Sequence, residues 1–350
     1  MTLTLHVDTE RWRSHQAGVL AARPALVPVA KGNGYGFGNP RLATEAARLG
    51  VDTLAVGTYG ELAAVSGAFG GALLVLSPWR PFGEAAAWAP DERVIHTVSR
   101  AADLEGLLAQ DPGARFVLEH VTSMLRHGLT ARELREVAGG LTRLGRDQQL
   151  EGVAFHLPMA GPSHLSEVRR LMTDVVSAGL PTHTIWVSHL TDAELTTLAR
   201  EWPDFTFRPR IGTELWLGDR GALRVRATVL DVHPIRRGES FGYRRRSAPR
   251  DGTVLVVDGG TAHGIGLEAP VGSGTLRARA GAIARGGLDA AGLVRSPYSI
   301  GGKQRLFAEP PHMQASMLFL PEGAPVPQIG DEIDVRVRFT ATTFDRTLFS

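Results

Sequence analysis

The sequence contains no cysteine. That excludes disulfide cross-links, thiol nucleophiles and thiolate-bound metals. Lysine is almost as scarce. Lys31 and Lys303 are the only two, and arginine supplies the other 36 of the 38 basic residues. Charge of one sign is also lacking: the formal net charge is +2, and the basic residues are dispersed apart from Arg244-Arg245-Arg246. A run that short is a solvated loop, so nothing here points to nucleic acid. No stretch approaches the ~20 apolar residues that span a bilayer. The N-terminus shows no basic-then-apolar signal segment. These absences lead to the expectation of a cytoplasmic protein with no metal, nucleic-acid or membrane partner.

What is present is ordinary for a folded protein: 350 residues, 43% hydrophobic and 21% charged, enough for one large domain and one small one. Short apolar runs predict strands over 25–30, 53–56, 72–76, 93–97, 116–119, 152–156, 184–188 and 205–210. Between them, helical patterns cover 40–49, 59–66, 100–109, 131–144, 165–178 and 192–202. A further helix over 9–20 precedes them, with Thr9 as its expected N-cap. Eight strands, each followed by a helix or a helix-sized gap, predict an α/β fold of the (β/α)8 TIM-barrel type over 9–222. An open doubly wound sheet is the alternative, weakened by the lack of dinucleotide-fingerprint spacing. From residue 223 to 350 helical periodicity fades. Strands predicted over 225–232, 252–257, 275–280, 313–320 and 331–339 indicate an all-β domain, with a strand from residues 1–8 as a candidate member.

The chain is organised around Pro28-Val29-Ala30-Lys31-Gly32-Asn33-Gly34-Tyr35-Gly36-Phe37-Gly38. A buried strand ends at one of two lysines, and four glycines follow within seven residues. Arginine keeps its charge, whereas a desolvated lysine can lose its proton and attack a carbonyl. Glycines let backbone approach a ligand closely. The plain alternative is a snorkelling lysine before a flexible loop.

This segment resembles the pyridoxal-phosphate lysine motif of the alanine racemase family, Val-Lys-Ala-(Asn/Asp)-Ala-Tyr-Gly-His-Gly. Gly32 and Gly34 replace alanines, and Phe37 replaces a histidine. The resemblance implies pyridoxal 5'-phosphate as cofactor, Lys31 as its Schiff-base lysine and Tyr35 as a phosphate ligand. It extends along the chain in order. Leu150-Glu151-Gly152-Val153-Ala154-Phe155-His156 is similar to the family's Glu-Gly-Ile-x-Thr-His, which makes His156 the ring-stacking histidine. Ser188 matches the serine of the family's Asn-Ser phosphate contact, with Val187 in place of the asparagine. Arg210-Ile211-Gly212-Thr213 is similar to Arg-x-Gly-Ile. Arg210 would then meet the pyridine nitrogen, and the amides of Gly212 and Thr213 would cradle the phosphate. The spelling Arg208-Pro209-Arg210 leaves the register between the two arginines open. Met124-Leu125-Arg126-His127-Gly128 is similar to the family segment whose arginine touches the cofactor and the substrate carboxylate. The family often carries a carbamylated lysine seven residues earlier. Glu119 stands there, and a charge-assisted pair with Arg126 is the expectation.

The second domain departs from the pattern. Gly260-Thr261-Ala262-His263-Gly264 lies where the family has Gly-Tyr-Ala-Asp-Gly, so Thr261 occupies the place of the second catalytic base. His263 is the expected substitute, since residues 261 and 263 would point to one side of an extended segment. A turn histidine is the alternative. Met313-Gln314 stands for the family's Met-Asp pair, implying substrate contacts and a head-to-tail homodimer with shared active sites. Tyr298 and Lys303, in an expected Gly-rich loop, are alternative acid/base candidates, with plain loop residues as the other reading. The resulting expectation is a PLP-dependent amino-acid racemase or epimerase. Single-base chemistry (a decarboxylase or lyase) and a non-catalytic PLP-binding protein are the alternatives.

Overall fold

The computed structural model describes residues 2–145, 149–159, 161, 163–267 and 294–350. It divides into two compact units. One holds residues 13–34 and 38–218; the other holds residues up to Trp12, 35–37 and 219–350.

The first strand, β1 (Leu3–Val7), and helix α1 (Thr9–Ala22) precede the barrel. Thr9 opens that helix but does not cap it. Asp8 does so, accepting from Arg11 N–H at 3.1 Å, because its carboxylate sits one residue ahead of the first turn. The barrel strands are β2 (Val27–Ala30), β3 (Thr53–Val56), β4 (Ala72–Pro78), β5 (Val94–Val98), β6 (Arg115–His120), β7 (Leu150–Phe155), β8 (Thr184–Val187) and β9 (Thr206–Ile211). All pair in parallel and in sequence order. β9 returns to β2 through Val27↔Arg210 and Pro28↔Ile211, which closes the sheet and rules out the open doubly wound alternative. The helices are α2 (Asn39–Arg48), α3 (Leu62–Ser66), α4 (Gly83–Ala86), α5 (Ala101–Gln110), α6 (Ala131–Leu144), α7 (Leu165–Ala178), α8 (Asp192–Glu201) and α9 (Thr213–Leu217). The helix expected over 59–66 begins as a 3-10 turn, Tyr59–Glu61, before α3. Thr130 with Glu133 and Thr191 with Glu194 form capping boxes that start α6 and α8 where strand–helix loops must turn.

The barrel interior is a packed layer of Val27, Val29, Ala55, Leu74, Ile95, Val117, Ala154 and Trp186. Gly152 lets the strands close around the one large ring. A Cβ there would lie 2.6 Å from Trp186 Nε1 and 2.4 Å from the Thr184 carbonyl. Among the described residues no helix is long and apolar enough to cross a membrane.

The second unit is an eight-stranded, mainly antiparallel sheet. Its strands are β10 (Leu223–Ile235), β13 (Gly252–Asp258), β14 (Arg295–Ile300), β15 (Lys303–Phe307), β16 (Ala315–Pro321), β17 (Glu332–Val335), β18 (Arg346–Phe349) and β1. A small ribbon of β11 (Ser240–Phe241) and β12 (Arg246–Ser247) stands apart. β1 lies between β10, with Leu3↔Ala227, and β18, with Thr4↔Arg346. The strand expected over 275–280 lies outside the described residues. The segment expected to be a Gly-rich loop is instead the β14–β15 hairpin, with Ile300↔Lys303 flanking the turn. Gly301 (φ 58°) and Gly302 (φ 72°) are both left-handed, as a type I′ hairpin turn requires.

Candidate active site

The four residues of β2 are all buried, and Lys31 follows at the C-terminal end of the barrel strand. The glycines beyond it form a folded turn. Gly34 N–H donates to the Lys31 carbonyl at 3.1 Å, and the Asn39 amide donates to the Gly32 carbonyl at 3.2 Å. Gly34 has φ 61°, and a Cβ there would lie 2.5 Å from Asn39 N. Tyr35 takes φ 54° without being glycine, a strain of roughly 1–2 kcal/mol. The segment after Lys31 is thus a hydrogen-bonded turn. Trp216 Nε1–H, buried, donates to the Val29 carbonyl at 2.8 Å and fixes the strand from behind. Lys31 as a residue is exposed, yet the pKa of its amine is lowered, first by burial and then by Arg126 and Arg210; Glu61 acts in the opposite direction.

Arg208 and Arg210 share one face of β9 two residues apart, and their partners separate them. Arg208 pairs with Asp52, just ahead of β3, and its guanidinium lies 4.4 Å from the Trp186 ring, so it closes the N-terminal end of the barrel. Arg210 is buried and donates through Nη2 to the Phe155 carbonyl at 2.9 Å, at the C-terminal end of β7. Arg210 thus reaches the C-terminal ends of the strands, and Arg208 does not. Among the described residues the Nε of Arg210 is buried without a hydrogen-bond partner. Burial pushes its pKa down to about 10, and Arg126 adds to the fall against the pull of Glu119.

His156 comes directly after β7, and Ser188 directly after β8. Ser188 Oγ accepts from Leu157 N–H at 3.1 Å, which leaves its own hydrogen for His156 Nδ1 at 3.4 Å. Burial, then Arg210, Arg126, His189 and Lys31, push the His156 pKa down to about 3, so the ring is neutral at physiological pH. The His189 ring stands 5.7 Å away, edge to face, on a backbone with φ 59°.

Glu119 sits on the inward face of β6, two residues beyond Val117 of the barrel core. It is buried, and burial raises its pKa although Arg210, Arg126 and Arg80 all pull it down; among the described residues Oε2 has no hydrogen-bond partner. The expected charge-assisted pair with Arg126 is not formed among the described residues. Glu119 points into the barrel, while Arg126 is exposed in the loop after β6. That loop is closed by Leu129 N–H donating to the Glu119 carbonyl at 2.7 Å and Val121 N–H to the Leu129 carbonyl at 3.0 Å. Gly128, at φ 134°, permits the closure; a Cβ would lie 2.3 Å from Val121 N.

Lys31, Arg126, His156, Ser188 and Arg210 thus gather at the C-terminal ends of the barrel strands, with Gly212 and Thr213 directly after β9. Tyr35 groups with the second unit. So do Thr261, His263, Met313 and Gln314, which form two loops joined backbone to backbone. Thr261 N–H donates to the His312 carbonyl, Ala262 N–H to Met313 and Gly259 N–H to Gln314. Thr261 and Met313 are exposed, Met313 by 70%. His263 is not beside Thr261 on one side of an extended segment. Residues Thr261–His263 form a 3-10 turn, which buries the histidine and leaves the threonine outside. His263 Nδ1 accepts from Gly260 N–H at 3.2 Å and Nε2 meets Asp345 Oδ1 at 3.1 Å, so both ring nitrogens are engaged. Tyr298 is buried, and its hydroxyl meets the Asp258 and Gly259 carbonyls, each at 2.8 Å.

The model of the alanine racemase N-terminal domain matches residues 9–191. The chain belongs to the alanine racemase family. An alanine racemase of Nitratidesulfovibrio vulgaris (strain DP4) is 29% identical over 263 residues, 69% of this chain and 69% of that protein. Among solved structures, the alanine racemase of Bartonella henselae with covalently bound pyridoxal phosphate aligns over 100% of both chains at 16% identity, with a TM-score of 0.72. The biosynthetic alanine racemase of Pseudomonas aeruginosa aligns over 100% of this chain and 99% of its own at 19% identity, with a TM-score of 0.70. At these identities the structural likeness speaks for the shared fold: a (β/α)8 barrel and a β domain.

Two residues of this alanine racemase family member escaped sequence reasoning. Glu61 ends a Thr58-x-x-Glu61 capping signal, which announces a helix start and nothing more. His189 carries no signal besides its place beside Ser188.

Proposed function

We propose that this chain is a pyridoxal-phosphate-dependent amino-acid racemase or epimerase in which Lys31 binds the cofactor and moves the proton at the substrate Cα. The observation that carries the reading is Lys31 at the C-terminal end of a barrel strand, its amine pKa lowered first by burial and then by the charges of Arg126 and Arg210.

The residues fit the cofactor. A buried arginine whose Nε–H is unpartnered among the described residues, beside a neutral histidine, suits an aromatic nitrogen acceptor, and the exposed guanidinium of Arg126 suits a carboxylate. When bound, pyridoxal phosphate supplies the electron withdrawal that acidifies the substrate Cα–H. Arg210 would donate to the ring nitrogen and, staying cationic, disfavour its protonation. His156 would pack on the ring without charge. Tyr35, Ser188, Gly212 and Thr213 would take the phosphate, and Arg126 the substrate carboxylate. In a head-to-tail homodimer Thr261, Met313 and Gln314 would complete the pocket of the other copy, and the small Thr261 side chain would admit a substrate larger than alanine.

One observation favours a second reading, single-base chemistry of the decarboxylase or lyase kind. Thr261 is no acid or base at neutral pH, and His263 has both nitrogens occupied. The test is incubation of the holoenzyme with L- and D-amino acids in deuterium oxide, following Cα exchange by proton NMR and configuration by chiral chromatography. Exchange with inversion is expected for the racemase. Exchange with retention, or loss of the carboxylate, would move the assignment to single-base chemistry.

A further inference from the structure

Glu61 touches the lysine turn from a neighbouring strand end and has no role in the chemistry above. Oε1 accepts from Gly32 N–H at 2.7 Å, while Oε2 accepts from Gly57 N–H at 2.7 Å and Thr58 N–H at 3.3 Å. Gly32 follows β2 and Gly57 follows β3, strands that pair at Ala30↔Val56. One carboxylate therefore ties together the two chain ends beside the lysine. Gly57 makes room for it: a Cβ there would lie 2.9 Å from Glu61 Oε2 and 3.0 Å from Lys31 Cβ.

We propose that Glu61 is a positioning residue for Lys31, a clamp that fixes where the lysine stem leaves the barrel and supplies negative charge to its amine. The proposal deepens the assignment of Lys31 made above and rests on it. The charged and titratable groups acting on that amine or on its neighbours include Arg126 after β6, His156 after β7, His189 after β8, Arg210 on β9 and Glu61 ahead of α3, with Glu119 on β6 acting on Arg210 and His164 ahead of α7 acting on His189. Arg126 and Arg210 favour the neutral amine, and Glu61 is the carboxylate that opposes them. An amide at position 61 would keep an acceptor for the turn but not the charge. Glu61 would thereby hold the lysine in one place and limit how far its neutral form is favoured.

The scarcity of lysine makes the test direct. The full-length chain, freed of cofactor, is labelled with trace acetic anhydride across a pH series. Acetylation at Lys31 and at Lys303 is read by peptide mass spectrometry, Lys303 serving as the internal reference. Glu61→Gln is expected to move the Lys31 midpoint to lower pH, since an opposite charge has been removed. Glu61→Asp, which draws the charge back by one methylene, is expected to fall between Gln and wild type and serves alone if the Gln chain does not fold. A purely structural clamp would act in the other direction, because a loosened turn admits water and raises the midpoint. An unchanged or raised midpoint would overturn the proposal. Mapping the reduced cofactor onto a lysine tests the assignment of Lys31 separately, so the two failures are distinguishable.

Discussion

Glu119 and His156 are driven toward neutrality by the same surroundings, one as an acid and one as a base. Burial raises the Glu119 carboxyl and lowers the His156 imidazole, the histidine helped by arginines that partly rescue the carboxylate. Their linkages to stability have opposite signs. The native state holds the Glu119 proton at pH values where the unfolded chain has released it, so this group's contribution falls as pH rises above about 4.3. Urea denaturation of Glu119→Gln across pH 4 to 7 should show a flatter loss on the rising side than wild type. For His156 the unfolded chain binds the proton first. Its contribution is full above about 6.5 and is lost as pH falls toward about 3. His156→Asn should therefore lose less stability than wild type between pH 6.5 and 4, and a steeper loss would contradict the burial argument. Neither environment was legible in the sequence. The motif supplied the residue types, but the field at each depends on Arg126 and Arg210, which reach the strand ends from distant points of the chain.

At the scale of elements, the short turn Thr261–His263 decides how the departure from the family pattern is understood. Its histidine bonds Gly260 N–H and Asp345, and Asp345 in turn accepts from Leu3 N–H at 2.7 Å, so the turn is tied to the first strand. His263→Ala should cost about 2 kcal/mol in urea denaturation, the range for a buried hydrogen bond to a charged group. It should leave Cα exchange by the folded enzyme within a few-fold of wild type; loss of exchange without loss of stability would restore His263 as a base. The β14–β15 turn gives a purely backbone test. Gly302 has φ 72° with open space around a Cβ, so Gly302→Val should destabilise by roughly 1–2 kcal/mol for conformational reasons alone. The barrel strands were legible because buried parallel strands read as apolar runs between turn residues. The β14–β15 hairpin was not, because Lys303-Gln304-Arg305 is polar and its outer positions face solvent. Glu61 was legible as a helix start. Its bond to Gly32, 29 residues away, is a product of strand pairing that no local pattern encodes.

At the scale of the whole molecule, the order of the chain and the order of its units differ. β1 lies inside the second unit's sheet, between β10 and β18, although the whole barrel is written before the rest of that sheet. Removal of residues 1–8 should therefore leave β18 without its strand partner and bare the Leu223–Ala227 edge of β10, which β17 and β13 still hold from the other side; amide hydrogen exchange should show protection lost over residues 346–349, and retained protection there would contradict the pairing. The alternation of strand and helix followed by strands alone made the architecture legible, whereas the membership of Tyr35–Phe37 in the second unit was not. The central claim, that Lys31 is the lysine that binds the cofactor, has a direct test because the chain offers only one competitor. The holoenzyme is reduced with borohydride, which fixes pyridoxal phosphate to the amine that holds it, then digested and mapped by mass spectrometry. The adduct is expected on the peptide carrying Lys31, and an adduct on Lys303, or on neither lysine in protein that retains the cofactor, would contradict it.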